Sequence, residues 1–253
     1  MIHFRRFAPN NYSSLLVSLL LLVLLTPVAD ITGSGHTWAS LAVLYLTVSA
    51  ALVISPNKVA SIRVLTIAAV GSLLWTCSKS LPFGPFHSVL FQCIANGSII
   101  LFLATTAWLM LQHILYSEAD HNTICGAICV YLLIGVVFSL LYLTCLEVNP
   151  QAISFEHIIK NGQHEHERLS QLIYFSMCTL TTVGYGDIVP VARFARTLAW
   201  LEAVTGQLYL AILVARLVGL QIATVTMKQA QDAAGNDATI DNAETAKTIS
   251  SKP

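Results

Sequence analysis

Long apolar stretches separated by short polar breaks constrain this chain more than any other feature. Of its 253 residues, 55% are hydrophobic and only 10% are charged, whereas a soluble domain carries about a quarter charged residues. A helix needs roughly 17 to 25 apolar residues to cross a bilayer. Six stretches meet that length: 13–29, 38–54, 59–77, 86–116, 123–147 and 196–225. The sequence therefore predicts an all-α membrane protein with six transmembrane helices.

The first stretch has an alternative interpretation as a signal peptide, because the basic residues His3, Arg5 and Arg6 precede its Leu-rich centre. Its end at residues 26–29 is a poor small-x-small cleavage site, which favours a retained helix.

The segment between the fifth and sixth stretches is too irregular to be a simple loop. Residues 148–168 are too charged for lipid, and residues 169–180 are apolar but too short to cross, which suits a re-entrant helix. The motif TTVGYGD follows at 181–187. Successive backbone carbonyls face one side only if φ alternates between ordinary and positive values, which Gly184 and Gly186 permit because they lack a Cβ. The sequence predicts an ion-selectivity filter here, the alternative being a Gly-rich turn between helices.

Each residue of this motif has an expected role. Residues 182–186 read TVGYG, the run that forms potassium-selective filters, in which carbonyl oxygens replace the hydration shell of the ion. We expect the Thr182 hydroxyl to contribute at the inner end and Tyr185 to point outward against its surroundings. Asp187 places negative charge at the outer mouth. The expected K⁺ ligands are Thr182, Val183, Gly184 and Tyr185, and Gly186 completes the filter.

From about residue 123 to 225 the chain resembles the pore module of potassium channels, with an outer helix, a pore helix, the filter and an inner helix. Residues 174–187, YFSMCTLTTVGYGD, are most similar to two-pore-domain and small bacterial channels. Gly206 corresponds to the glycine hinge of the family's inner helix, whereas Cys178 stands where some bacterial channels have Glu. A pore needs four filter loops and this chain has one, so the resemblance implies a homotetramer embedded in membrane lipid.

The same resemblance divides the chain into three parts. Residues 1–116 hold four transmembrane helices of unassigned role, residues 117–226 hold the pore module, and residues 227–253 are expected to form a disordered cytoplasmic tail. The fourth stretch, 86–116, contains no Arg or Lys, unlike a voltage sensor. The filter's outward-facing Gly-Asp end places both termini in the cytoplasm of a plasma-membrane protein. We therefore expect a potassium-selective channel of the leak or background type that is not voltage-gated.

Residues of the sixth stretch are expected to line the cavity and support the filter. Glu202 lies about 140° around the helix from the cavity-lining face, so we expect it to brace the filter from behind. Hydroxyl groups near it in the family's layout are Ser176, Thr179 and Thr181; the alternative is a solvated Glu202 near Trp200. The cavity-lining positions at helical spacing are Gln207, Leu210, Val214 and Val218, although Gln207 has the alternative of packing against a neighbouring helix.

Other features add little to this interpretation. Three histidines in the outer segment, His157, His164 and His166, suit a solvated turret better than a metal or proton sensor. We expect no cofactor, no enzymatic activity and no soluble partner, and the balance of 13 basic and 13 acidic residues does not suggest nucleic acid. Two alternatives to a channel are a non-conducting regulatory subunit, which a disrupted filter would favour, and a potassium-uptake subunit, which would need repeated pore loops or inverted repeats.

Overall fold

The structure is a computed structural model that describes residues 12–31, 89–116, 121–155 and 168–250. These residues form five helices and two short strands. The helices are α1 (Tyr12–Ile31), α2 (Val89–Tyr116), α3 (His121–Val148), α4 (Arg168–Leu180) and α5 (Arg193–Ser250), and the strands are β1 (Ile153–Ser154) and β2 (Val189–Pro190). The predicted second and third spans, 38–54 and 59–77, lie outside the described residues.

Three of the described helices contain segments long and apolar enough to cross a membrane. These segments are Val89–Leu115, Thr123–Val148 and Arg193–Arg216, and Tyr12–Leu24 is a shorter apolar helix. A helix suits a bilayer because it satisfies its backbone hydrogen bonds internally. The helical architecture expected from the sequence is confirmed for this part of the chain, while the count of six spans stays a prediction.

Helix α3 is the centre of the packing, since it contacts α1, α2 and α4.

The apolar residues of α1 divide into a buried face and an exposed face. Its residues Leu15, Leu19 and Leu22 recur every three or four positions, share one helix face and are buried. Leu20 and Leu24 lie away from that face and are exposed, as expected for side chains that face lipid.

The start of α1, the end of α2 and the start of α3 are joined by polar contacts. The Tyr12 hydroxyl lies 3.1 Å from Nδ1 of His113, and the Cys129 thiol donates to the carbonyl of Tyr12 at 3.5 Å. A Cβ on Gly126 would come within 3.3 Å of the Tyr12 ring. These contacts fix the first helix against the pore module at one end.

The two short strands tie the segment after α3 to the segment before α5. They pair antiparallel, with Ile153 opposite Pro190 and Ser154 opposite Val189. The amides of residues 191 and 192 both donate to the carbonyl of Ala152, at 2.8 and 3.0 Å. Part of the predicted polar segment 148–168 is therefore ordered by backbone hydrogen bonds.

The chain divides into two compact units, Met1–Tyr209 and Leu210–Pro253. In the second unit, residues 227–250 continue α5 as helix, which corrects the disordered tail expected at 227–253. Ala, the strongest helix former, is the commonest residue here, and the segment has a single Gly, Gly235, and no Pro before Pro253. The Ala content and the lack of Pro are compatible with helix even where there is little apolar surface to bury.

Candidate selectivity filter and its supporting residues

The filter backbone alternates in the manner its carbonyl groups require. The φ angle is +58° at Thr182, +55° at Gly184 and +81° at Gly186, so every second residue lies in the left-handed region. The sequence predicts the two glycines but not Thr182, because a residue with a Cβ is penalised there by about 1–2 kcal/mol. The alternation is what successive carbonyls need in order to face one side.

The inner end of the filter is held by the C-terminus of α4. The amide of Thr182 donates to the carbonyl of Thr179 at 3.0 Å, and the amides of Val183 and Gly184 donate to the carbonyl of Cys178 at 2.8 and 3.3 Å. The last carbonyls of a helix lack partners within the helix. The filter satisfies them, and these hydrogen bonds support the strained Thr182.

Tyr174, at the middle of α4, contacts the outer end of the filter. Its hydroxyl donates to Oδ2 of Asp187 at 2.8 Å, and its ring stacks on Tyr185 with centroids 6.5 Å apart and planes 4° apart. The hydrogen bond to Asp187 raises the pKa of the Tyr174 phenol above its ordinary value. Oδ1 of Asp187 accepts the amide of Ile188 at 3.1 Å. One tyrosine therefore contacts both Tyr185 of the filter and Asp187 directly after it.

The filter itself is exposed in the single chain. Residues 181–186 are all exposed, and the exposed fraction reaches 51% for Val183 and 73% for Tyr185. A large apolar side chain and a large aromatic side chain are thus left without cover. Within the described residues, the single chain therefore does not enclose this run.

Two adjacent residues of α5 meet the filter and the end of α4. Nε2 of Gln207 lies 3.5 Å from the Thr182 hydroxyl, and Gln207 is exposed. A Cβ on Gly206 would collide with the carbonyl oxygen of Leu180 and lie 3.0 Å from a methyl group of that residue. Gly206 therefore allows α5 to approach the end of α4, a packing role that the predicted hinge did not include.

The other cavity positions lie in the second unit, where Leu210, Val214 and Val218 are exposed. Their spacing of four residues keeps them on one side of α5. Their contribution to a cavity stays a prediction.

Glu202 is fully buried, with 0% of its surface exposed, while the neighbouring Trp200 is 57% exposed. Its Oε2 accepts a hydrogen bond from the Tyr142 hydroxyl of α3 at 2.7 Å, and its Oε1 is hydrogen-bonded to the Ser176 hydroxyl of α4. The solvated alternative is wrong, and the side chain points toward the outer and pore helices, as expected.

Two of the hydroxyls considered for Glu202 bind elsewhere. Thr179 donates to the carbonyl of Phe175 at 2.8 Å, and Thr181 donates to that of Met177 at 2.7 Å. Each hydroxyl bonds its own helix, as threonines within helices do. Of the three hydroxyls, only that of Ser176 contacts Glu202.

Three tyrosines with no role expected from the sequence join the helices of the site. Tyr142 binds Glu202, Tyr131 donates to the carbonyl of Leu180 at 3.2 Å, and Tyr209 donates to that of Ala127 at 2.6 Å. A buried tyrosine usually finds a hydrogen-bond partner for its hydroxyl. Their position within apolar helices was therefore the available signal.

The outer histidines His157, His164 and His166 lie outside the described residues. Their role as turret or sensor stays a prediction.

Comparison with known proteins finds similarity to ion channels in the part of the chain that contains α3, α4, the filter and the first part of α5. Residues 127–221 match a family model described as an ion channel. The inward rectifier potassium channel Kirbac3.1 of Paramagnetospirillum magnetotacticum is 34% identical over 84 residues, which span 32% of this chain and 24% of that relative. This chain therefore matches only about a quarter of that relative's length. No solved structure gives a significant match. These similarities support the resemblance to potassium-channel pore modules and a membrane location for the chain.

Proposed function

We propose that four copies of this chain form a potassium-selective channel. The observation that carries the proposal is the alternation of positive φ along the TVGYG run, at Thr182, Gly184 and Gly186. A non-conducting subunit would have no need of this strained and ordered backbone. The similarity to a relative described as a potassium channel gives independent support.

The exposure of the filter residues in the single chain supports a four-fold assembly. Each chain has one filter, and a ring of four is needed to surround an ion. Neighbouring copies around a closed axis would cover Val183 and Tyr185, which are exposed in the single chain. The exposed apolar residues Val204 and Leu208 of α5 lie on the helix that faces the pore in the proposed assembly.

Within the ring, residues 182–185 would bind dehydrated K⁺ through their carbonyl oxygens and the Thr182 hydroxyl. Asp187 would attract cations to the outer mouth. Gln207, whose amide reaches Thr182, would offer a neutral polar group to a hydrated ion in the cavity. The four positions proposed to line the cavity, Gln207, Leu210, Val214 and Val218, are uncharged, which suits passage rather than tight binding.

The proposed channel is of the leak or background type. Helix α2 (Val89–Tyr116) contains no Lys or Arg, so it carries no charges of the kind that sense voltage. We place the channel in the plasma membrane with both termini in the cytoplasm, because the Gly-Asp end of the filter faces outward in the potassium channels that the sequence resembles.

Flux into liposomes tests the proposal directly. The full chain is reconstituted with high internal K⁺, and uptake of Rb⁺ and Na⁺ tracers is compared. We expect strong Rb⁺ uptake and little Na⁺ uptake. Comparable uptake of the two ions would rule out potassium selectivity, and the absence of both would rule out conduction.

A further inference from the structure

Three helices meet at one buried polar cluster behind the filter. Glu202 comes from α5, Ser176 from α4 and Tyr142 from α3, and each is 0% exposed. The Ser176 hydroxyl also donates to the carbonyl of Gly135 on α3 at 2.7 Å. The contacts therefore form a continuous path: Tyr142 to Glu202, Glu202 to Ser176, and Ser176 to Gly135.

The number of protons available along this chain of hydrogen bonds determines whether the Glu202 carboxyl group is protonated. The Ser176 hydroxyl has one proton but lies within hydrogen-bond distance of two oxygens, those of Glu202 and Gly135. If it donated to Glu202, its oxygen would face the Gly135 carbonyl oxygen at 2.7 Å with no proton between them. If it donates to Gly135, a proton between Ser176 and Glu202 must come from the carboxyl group.

The hydrogen bond at Oε2, the second carboxyl oxygen of Glu202, does not remove the need for a proton on Oε1. The Tyr142 hydroxyl donates to Oε2, so Oε1 is the oxygen that carries a proton in a fully satisfied arrangement. Among the described residues, the hydrogen-bond partners of Glu202 are neutral hydroxyls. A buried carboxylate without a cationic partner is costly, so the neutral acid is favoured by solvation as well as by hydrogen bonding.

We propose that Glu202 is a neutral carboxylic acid in the folded protein and acts as a positioning residue that locks α4 between α3 and α5. The acid donates to Ser176 and accepts from Tyr142, so it joins all three helices at once. Because the amides of the filter bond to the last carbonyls of α4, the position of α4 sets where the filter begins. The link to ion selectivity rests on the proposed function, whereas the protonation of Glu202 does not.

Infrared spectroscopy tests the proton itself. Spectra of the full chain in detergent at pH 7 are compared for wild type and Glu202→Gln. We expect the wild type to show the carbonyl stretch of a protonated carboxylic acid, and the substitution to remove it. A difference spectrum that shows the loss of an ionised carboxylate would overturn the proposal.

The same variant tests the positioning role, because Gln copies the hydrogen bonds of a neutral acid. Its amide donates to Ser176 and its oxygen accepts from Tyr142, so we expect the melting temperature and the K⁺/Na⁺ selectivity of the wild type. Glu202→Ala leaves both hydroxyls without this partner, and we expect it to melt about 5 °C or more lower and to lose selectivity. Thr197→Ala is the control, since that hydroxyl bonds only the backbone of its own helix at 3.1 Å.

The outcomes separate this proposal from the proposed function. If Glu202→Gln is as unstable as Glu202→Ala, or if Glu202→Ala melts like Thr197→Ala, the positioning role is wrong. If the acid band and the stability pattern are found in a wild type that passes no K⁺, the inference stands and the proposed function fails. Glu202→Gln alone decides the matter if Glu202→Ala does not fold.

Discussion

Replacement of Gly206 by Ala should destabilise the protein, although Ala is the better helix former. The added Cβ would collide with the carbonyl oxygen of Leu180. That oxygen is a poor candidate for movement, because Leu180 is fully buried and its carbonyl accepts the Tyr131 hydroxyl at 3.2 Å. The substitution therefore tests whether α5 and α4 are packed as tightly as their backbones indicate.

The change in the free energy of unfolding of Gly206→Ala has two opposing contributions. Overpacking against a fixed atom costs about 3 kcal/mol at the upper end of its usual range, and Ala gains about 1 kcal/mol over Gly in a helix. The net loss is about 2 kcal/mol. For a chain of this size it corresponds to a melting temperature roughly 4–8 °C lower.

Gly219 provides the matched control on the same helix. A Cβ there meets no atom within 4 Å, so Gly219→Ala should raise the melting temperature by about 2–4 °C from the helix propensity alone. Thermal melts of both variants in one detergent measure the difference. If Gly206→Ala melts at or above the wild type, the close approach is wrong, and a purely flexible hinge becomes the better account of this glycine.

The remaining predictions concern the pore as a whole. Gly184→Ala should abolish Rb⁺ flux, because the φ of +55° costs Ala about 1–2 kcal/mol in each of four filters. The control Gly97→Ala, at an open helical site, should conduct normally. Rb⁺ flux through the Gly184 variant would contradict the filter assignment. Native mass spectrometry in mild detergent should give four subunits, whereas a stable conducting dimer would mean that a second loop exists. Bilayer recordings should show a shallow dependence on voltage, since α2 lacks basic residues and a moved charge is worth about 2.3 kcal/mol per 100 mV; a steep activation curve would refute this.

Local chemistry made the filter predictable from the sequence. Gly184 and Gly186 sit where only a residue without a Cβ is unstrained, and both have positive φ. Thr182 was not predicted to share that conformation, because its cost is offset by hydrogen bonds to α4 that depend on how the chain folds back. The helix expected at residues 169–180 is confirmed as α4, because a short apolar run before the filter still favours helix, while its re-entrant course stays a prediction.

For contacts between residues distant in sequence, the side of the helix that a residue faces was predictable, but its partner was not. Helical geometry placed Glu202 behind the filter, but its partner Tyr142 lies 60 residues earlier and no spacing rule joins the two. Thr179 and Thr181 were reasonable candidates by position, yet each bonds its own helix. The helical continuation of residues 227–250 was hard to predict, because the segment has little apolar surface and mixes Ala with the weaker helix formers Asp, Asn and Thr.

The pairing of β1 with β2 means that the connection at residues 156–167 can differ in length at little cost. Ser154 is held opposite Val189, and the pore helix begins at Arg168, so residues 156–167 run between two points that the fold already fixes. Lengthening such a connection costs little, since each doubling of a loop adds only about 0.6 kcal/mol of closure entropy. Insertions between residues 156 and 167 should therefore leave the pairing of β1 with β2 and the start of α4 in place, so the filter that follows α4 tolerates a change in the length of this connection.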